Sequence, residues 1–220
     1  MKKVPWIVSL LILSFTPQWL SAQGLAIGAR AGTLGFGGEV AFGVSAAIVL
    51  RGGFGVFPVE YEGEFDGEDY TVTFPSSMWS MGLDYYPGGG PIRIMAGVLG
   101  RSGDIELSSD VTESREIGGT VYTETGTLKG VLKQSALAPF AGIGFGKHTA
   151  GGFSFFLDVG AALAGEADVT LSPEGALASV PDIQQSLEVE ANRVEDDTGE
   201  WLKVWPVVSV GVKLPLGVGY

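Results

Sequence analysis

From Leu202 onward the even positions of the chain are apolar: Leu202, Val204, Pro206, Val208, Val210, Val212, Leu214, Leu216, Val218 and Tyr220. The odd positions include Lys203, Ser209, Gly211, Lys213, Gly217 and Gly219. Successive strand side chains point to opposite faces, so this spacing predicts a strand with one apolar and one largely polar or small face. The same period of two recurs upstream and marks seven further strands, near residues 25–33, 37–44, 46–59, 70–86, 91–106, 133–147 and 153–171. In the last of these, Phe153, Phe155, Leu157, Val159, Ala161 and Leu163 alternate with Ser154, Asp158 and Glu166. The turn between the first two strands is the least defined, because 33–38 also reads as a bent continuation.

The connections alternate in length. Those near 44–46, 87–91 and 147–152 are short, and those near 61–69, 107–129 and 172–200 are long. The acids follow this map: Glu60, Glu62, Glu64, Asp66, Glu68 and Asp69 crowd the first long connection, and Glu188, Glu190, Glu195, Asp196, Asp197 and Glu200 the last. A closed barrel of alternating strands would keep its charges in loops and lumen, away from lipid, where Lys or Arg costs about 2–4 kcal/mol at mid-bilayer. The fold class expected is all-β: a single up-and-down antiparallel transmembrane β-barrel of eight strands, with short turns at the periplasmic end and longer acidic loops outside.

Composition supports this reading. Mean hydropathy is positive, +0.29, although the net charge is −12. Both hold together if apolar residues are spread by alternation and acids are gathered in loops. No apolar run after the N-terminal segment is long enough for a membrane helix. The 35 glycines fall often within strand-like runs, where they would make room in a narrow interior. Residues 1–22 read as a cleaved secretory signal, with Lys2 and Lys3 before an apolar run and small residues Ser21 and Ala22 at its end. Residues 23–220 then form one barrel domain of just under 200 residues. There is no cysteine, which excludes a disulfide scaffold or thiolate metal site. The acidity argues against nucleic acid as a partner.

The N-terminal signal, the alternating strands and the final stretch WLKVWPVVSVGVKLPLGVGY resemble small bacterial outer-membrane β-barrels of the OmpA, OmpX, OmpW or opacity type. The resemblance implies a location in the outer membrane of a Gram-negative bacterium. It also implies contact with outer-membrane lipid or lipopolysaccharide, and recognition by the barrel-assembly machinery. The residues matching the assembly signal are Val212, Leu214, Leu216, Val218 and Tyr220. A terminal Tyr where Phe is usual, and Pro215 within the strand, depart from the pattern.

Ten charged residues take the inward parity and are the candidate lumen network: Arg30, Glu39, Arg51, Asp84, Arg93, Arg101, Asp158, Glu166, Lys203 and Lys213. An eight-stranded barrel is just wide enough for side chains to fill it, and buried charges persist only when paired. The bland reading is a packed ionic plug, and the sharper one a gated path or small ligand site. The acidic segment EYEGEFDGEDY could attract divalent cations such as Ca²⁺ or Mg²⁺, though its spacing is not that of the helix–loop–helix calcium motif. His148, the single histidine, sits in a short turn with no triad partner in sight. GIGFGK, residues 142–147, imitates a phosphate loop only loosely and fits a strand. Mixed three- and four-residue apolar spacing over 173–194, interrupted by Pro181, allows a short helix.

These features point to a non-enzymatic barrel with no cofactor, catalytic residue or metal site, expected as a monomer and serving envelope integrity or surface interaction. The alternative reading is a narrow channel or transporter for small, hydrophobic solutes, OmpW-like.

Overall fold

The computed structural model describes residues 24–57, 60–65, 68–147 and 152–216, with backbone only at 64, 65, 68 and 197–202. The expected signal, His148, Val218 and Tyr220 lie outside the described residues. In chain order the strands are β1 (Leu25–Gly32), β2 (Phe36–Gly43), β3 (Ile48–Val56), β4 (Glu60–Phe65), β5 (Glu68–Thr73), β6 (Ser77–Tyr85), β7 (Ile92–Ser102) and β8 (Ile105–Val111). They continue with β9 (Arg115–Ile117), β10 (Thr120–Tyr122), β11 (Gly126–Lys133), β12 (Leu137–Phe145), β13 (Ser154–Leu163), β14 (Asp168–Gly175) and β15 (Val204–Pro215). One helix, α1 (Ile183–Leu202), precedes the last strand.

Eight strands close an antiparallel barrel in the order β1, β2, β3, β6, β7, β12, β13, β15 and back to β1. Closure removes free sheet edges, which a bilayer does not tolerate. The seam pairs Ala26–Gly32 of β1 with Pro215–Ser209 of β15. The turn at 33–35 is real: Gly35 adopts a positive φ of 81° and its N–H donates to the Gly32 carbonyl at 3.0 Å. That conformation suits glycine, and it separates β1 from β2.

The alternation has its expected consequence. Val204, Pro206, Val208, Val210 and Leu214 face out of the barrel on β15, while Val207, Ser209 and Lys213 are buried within it. Ile92, Ile94, Ala96 and Val98 do the same on β7, opposite the buried Arg93, Met95 and Leu99. No described helix is long and apolar enough to cross a membrane.

The long connections are not loose loops. A second sheet runs β14, β11, β8, β5, β4, the same order as the five barrel strands β13, β12, β7, β6, β3 to which each is joined in sequence. Five staves of the wall therefore project past the barrel at one end. Parity is kept from β7 into β8, but chemistry inverts: the outward row passes from Ile92, Ile94 and Val98 to Glu106, Ser108 and Asp110. The inward row there ends in the buried Ser109 and Val111. Outside lipid the outer face must be polar, and the apolar residues must turn inward. They meet the β9–β10 hairpin and α1 in a core of Val111, Ile117, Tyr122, Leu128, Leu177, Ile183 and Leu187. The helix is longer than the short one the spacing allowed, and it starts just after Pro181, which lies outside it.

Candidate functional site: the barrel interior

The interior is layered. Toward the projecting sheet, Leu34, Met78, Met95, Leu99, Ala138, Phe140, Ala162 and Val207 form an apolar layer. Toward the short turns, Ala26, Ala41, Val49 and Tyr86 form another. Between them seven of the ten sequence-predicted charges are buried together: Arg30, Glu39, Arg51, Asp84, Arg93, Asp158 and Lys213.

Each comes from a different stave: β1, β2, β3, β6, β7, β13 and β15 in the order just given. The eighth stave, β12, contributes Gly144, where a Cβ would lie 2.6 Å from both Arg93 Cζ and Asp158 Oδ1. The glycine vacates the volume that these two side chains occupy.

The pairings cross the lumen. Arg51 meets Asp84 at 3.2 Å, Asp158 at hydrogen-bond distance, and Glu39 at 3.8 Å. Arg93 Nε lies 3.2 Å from Asp84, and its Nη2 bonds Asp158. Arg93 Nη1 also donates to the Gly146 carbonyl at 2.8 Å, which the Tyr86 hydroxyl reaches at 3.3 Å. Lys213 pairs with Glu39 and lies 4.9 Å from the centre of the Phe156 ring. Arg30 donates to Ser80 Oγ at 2.9 Å. Four cations thus face three carboxylates, and each carboxylate is shared. Buried charges need such partners, because desolvation otherwise exceeds the attraction regained.

The other three candidates lie elsewhere. Glu166 and Lys203 are exposed at the end of the barrel that carries the projecting sheet, where they pair only with each other at 3.8 Å. They belong to no lumen network. Arg101 points inward but sits beyond the apolar layer, next to Asp104 at 3.8 Å. The expectation of one ten-residue network is corrected to seven plus a separate arginine. Parity alone cannot tell depth along a strand, and Gly165, with a φ of 81°, breaks the alternation before Glu166.

Sequence reasoning missed Tyr86, Met95, Phe156 and Gly144 as parts of the site. Tyr86, Met95 and Phe156 were legible in principle, since each shares parity with a lumen charge two residues away, Asp84, Arg93 and Asp158. Of the assembly-signal candidates, Val212 and Leu214 continue the β15 ladder against β1, and Leu216 N–H donates to the Leu25 carbonyl at 2.7 Å. The GIGFGK segment lies largely within β12, paired on both sides. The acidic segment forms the β4–β5 hairpin. Among the described residues, no group of three or more His, Asp or Glu side chains gathers to hold a metal ion.

No family model and no curated protein matches the sequence. Solved structures do match. The chain superposes on Acinetobacter baumannii CarO2 with a TM-score of 0.65 at 21% identity, covering 87% of this chain and 98% of that one. Acinetobacter baumannii CarO gives 0.59 at 19%, covering 87% and 96%. At these identities the likeness is one of fold. The chain has the architecture of a small eight-stranded outer-membrane β-barrel. That architecture accounts for the closed sheet, the outward apolar rows and the strand extensions at one end only.

Proposed function

We propose that this protein is a non-enzymatic integral barrel of the Gram-negative outer membrane, closed by its own side chains, that displays a folded acidic platform at the cell surface. The observation that carries the first half is the sequence of layers along the lumen: small and aromatic, then charged, then apolar. A solute on that path would have to break shared ion pairs and then displace Met95, Leu99 and Phe140. The platform supports the second half. Its outward face carries Glu106, Asp110, Asp168 and Glu174, and its own core keeps it rigid. Short turns and both ends of the barrel sequence share the opposite rim, which on this reading is periplasmic. Envelope integrity and surface interaction are the roles such a body suits.

Planar-bilayer recording and liposome swelling with the purified protein test the closed lumen. The expected result is no conductance and no solute flux above a protein-free control. Reproducible flux of small solutes would replace this reading with that of a narrow channel. Accessibility of the platform to protease or antibody on intact cells tests its placement.

A further inference from the structure

The projecting sheet has two edges, and they are treated differently. At one edge β14 lies along α1. There the Glu195 carboxylate accepts from the Val169 N–H at 2.6 Å, in the place of a neighbouring strand's carbonyl. At the other edge β4 pairs with β5 on one side, and no further described strand joins its other side. Alternate residues of an edge strand turn both N–H and C=O away from the sheet, which makes it a template for an added strand. Such edges are commonly blunted by lysine, proline or a bulge. β4, with the sequence EYEGEF, has neither Lys nor Pro, and its register with β5 is unbroken. Its two faces differ. Glu60 and Glu62 are exposed on the outer face, beside an open trough of about 520 Å³ lined by Glu62, Asp69, Thr71, Ser108, Asp110 and Thr112. On the inner face Tyr61 is 63% exposed, and its ring lies over Gly63, where a Cβ would come within 2.8 Å of it.

We propose that the β4 edge takes up an extended, cationic segment of a partner protein, added as a further strand to the projecting sheet. Main-chain hydrogen bonds to β4 supply the pairing, and side chains at alternate positions supply the selection. Lysine or arginine on one face meets Glu60, Glu62 and the trough, and apolar residues on the other lie against Tyr61. The acids do not block the edge; they set the sign of what can join it. A second copy of this chain is a poor occupant, because it would bring two acidic faces side by side. The proposal rests on the reading of the platform as an interaction surface and gives the partner its chemistry.

The test uses the full-length refolded protein in detergent micelles and short fluorescent peptides, followed by anisotropy. The probe alternates lysine with valine. One comparison is the same peptide N-methylated throughout, which keeps its charge and loses its backbone donors. The other alternates glutamate with valine. Expected is saturable binding of the lysine–valine peptide, about tenfold weaker after N-methylation and lost with glutamate. Binding should also be about tenfold weaker in the double variant Glu60→Lys, Glu62→Lys. It should be unchanged in Glu188→Lys, which reverses a charge on α1 beside the other edge. Amide hydrogen exchange along β4 should slow when the peptide is bound. Equal binding of the N-methylated peptide, or equal weakening by Glu188→Lys, would mean bulk attraction to an acidic surface and overturns the proposal, as does the absence of saturable binding. The peptide comparisons use the wild-type protein, so they decide the matter even if the double variant fails to fold. Protease or antibody access on intact cells, which tests the platform's placement, can fail or succeed without moving these results.

Discussion

Arg51 and Asp158 stand 107 residues apart in sequence and bond directly through the centre of the lumen. Their strands, β3 and β13, are four places apart in a ring of eight, so the pair spans the full diameter. Asp158 also holds Arg93. One carboxylate therefore ties three staves that share no backbone ladder. The neutral substitution Asp158→Asn leaves two buried guanidinium groups to share Asp84 and Glu39. Breaking a buried pair in this way costs about 3–5 kcal/mol. Urea unfolding in lipid, followed by tryptophan fluorescence, should show a loss of that size. A change no larger than that of an exposed substitution would mean that the network adds nothing to stability.

The vacancy on β12 is as specific as the charges. Gly144→Ala places a methyl 2.6 Å from Arg93 and Asp158 atoms, and neither side chain can retreat without giving up its partners. Overpacking of this kind costs about 1–3 kcal/mol. Gly90→Ala is the comparison: its Cβ would meet nothing within 4 Å, and its φ of −74° suits any residue. The temperature at which each barrel converts to its unfolded gel mobility should fall for Gly144→Ala and stay at the wild-type value for Gly90→Ala.

Lys129 on β11 and Glu174 on β14 are diagonal neighbours on the outside of the projecting sheet, their charged atoms 2.8 Å apart. The hydrogen bond from the ammonium to Glu174, with the attraction of its charge, raises the Lys129 pKa above the ordinary lysine value. A raised folded-state value means that the pair's contribution is complete below the unfolded lysine pKa and is lost only as pH rises through the folded one. The contribution of this pair should therefore stay constant between pH 6 and about 9. NMR titration of the lysine side chains should show Lys129 titrating later than in Glu174→Gln. Identical midpoints in the two proteins would mean that the pair is open in solution.

The wall was legible because its rule is local. Period-two alternation assigns each side chain to lipid or lumen wherever a strand is regular, and so Arg30, Glu39, Arg51, Asp84, Arg93, Asp158 and Lys213 emerge from parity alone. Depth is not local. Arg101 shares the parity of Arg93 but lies further along the strand, past Leu99, and only the register between staves shows that it leaves the network. The projecting sheet was obscured for a different reason. Its apolar residues alternate as the wall's do, but with the faces exchanged, Leu107, Ser109 and Val111 inward and Glu106, Ser108 and Asp110 outward. Read with the wall's rule, an acidic outward face looks like a loop. The helix was half visible in Ile183 and Leu187, whose partners Val111, Ile117 and Leu128 are far away in sequence.

Because the platform has its own core, it should unfold separately from the barrel. Leu187 on α1 is buried in that core, and the Tyr122 hydroxyl bonds Ser186 beside it at 2.7 Å. Leu187→Asp puts a charge where no partner stands, and truncation alone at such a site costs about 2–5 kcal/mol. The layers inside the barrel touch none of these residues. Limited proteolysis should therefore cut Leu187→Asp within α1 while the remaining fragments still migrate as a heat-modifiable barrel. Loss of barrel migration together with the helix would show that the two bodies fold as one.

The outward rows carry the claim that lipid surrounds the barrel, and a substitution there separates lipid from water. Val210 lies near the middle of β15, exposed on the outer face between Ala31 and Leu157. In a bilayer Val210→Arg should cost about 2–4 kcal/mol, because the guanidinium has neither water nor a counter-charge at that depth. In a soluble barrel the same change would be neutral, since Val210 already faces out and packs against nothing inside. Thr170→Arg on the outer face of β14, which is exposed but belongs to the projecting sheet, should be neutral in either case. Measuring both variants by urea unfolding in liposomes distinguishes the two environments. A large loss for Val210→Arg beside none for Thr170→Arg places the lipid boundary between the barrel wall and the projecting sheet, where the outward rows change from apolar to polar.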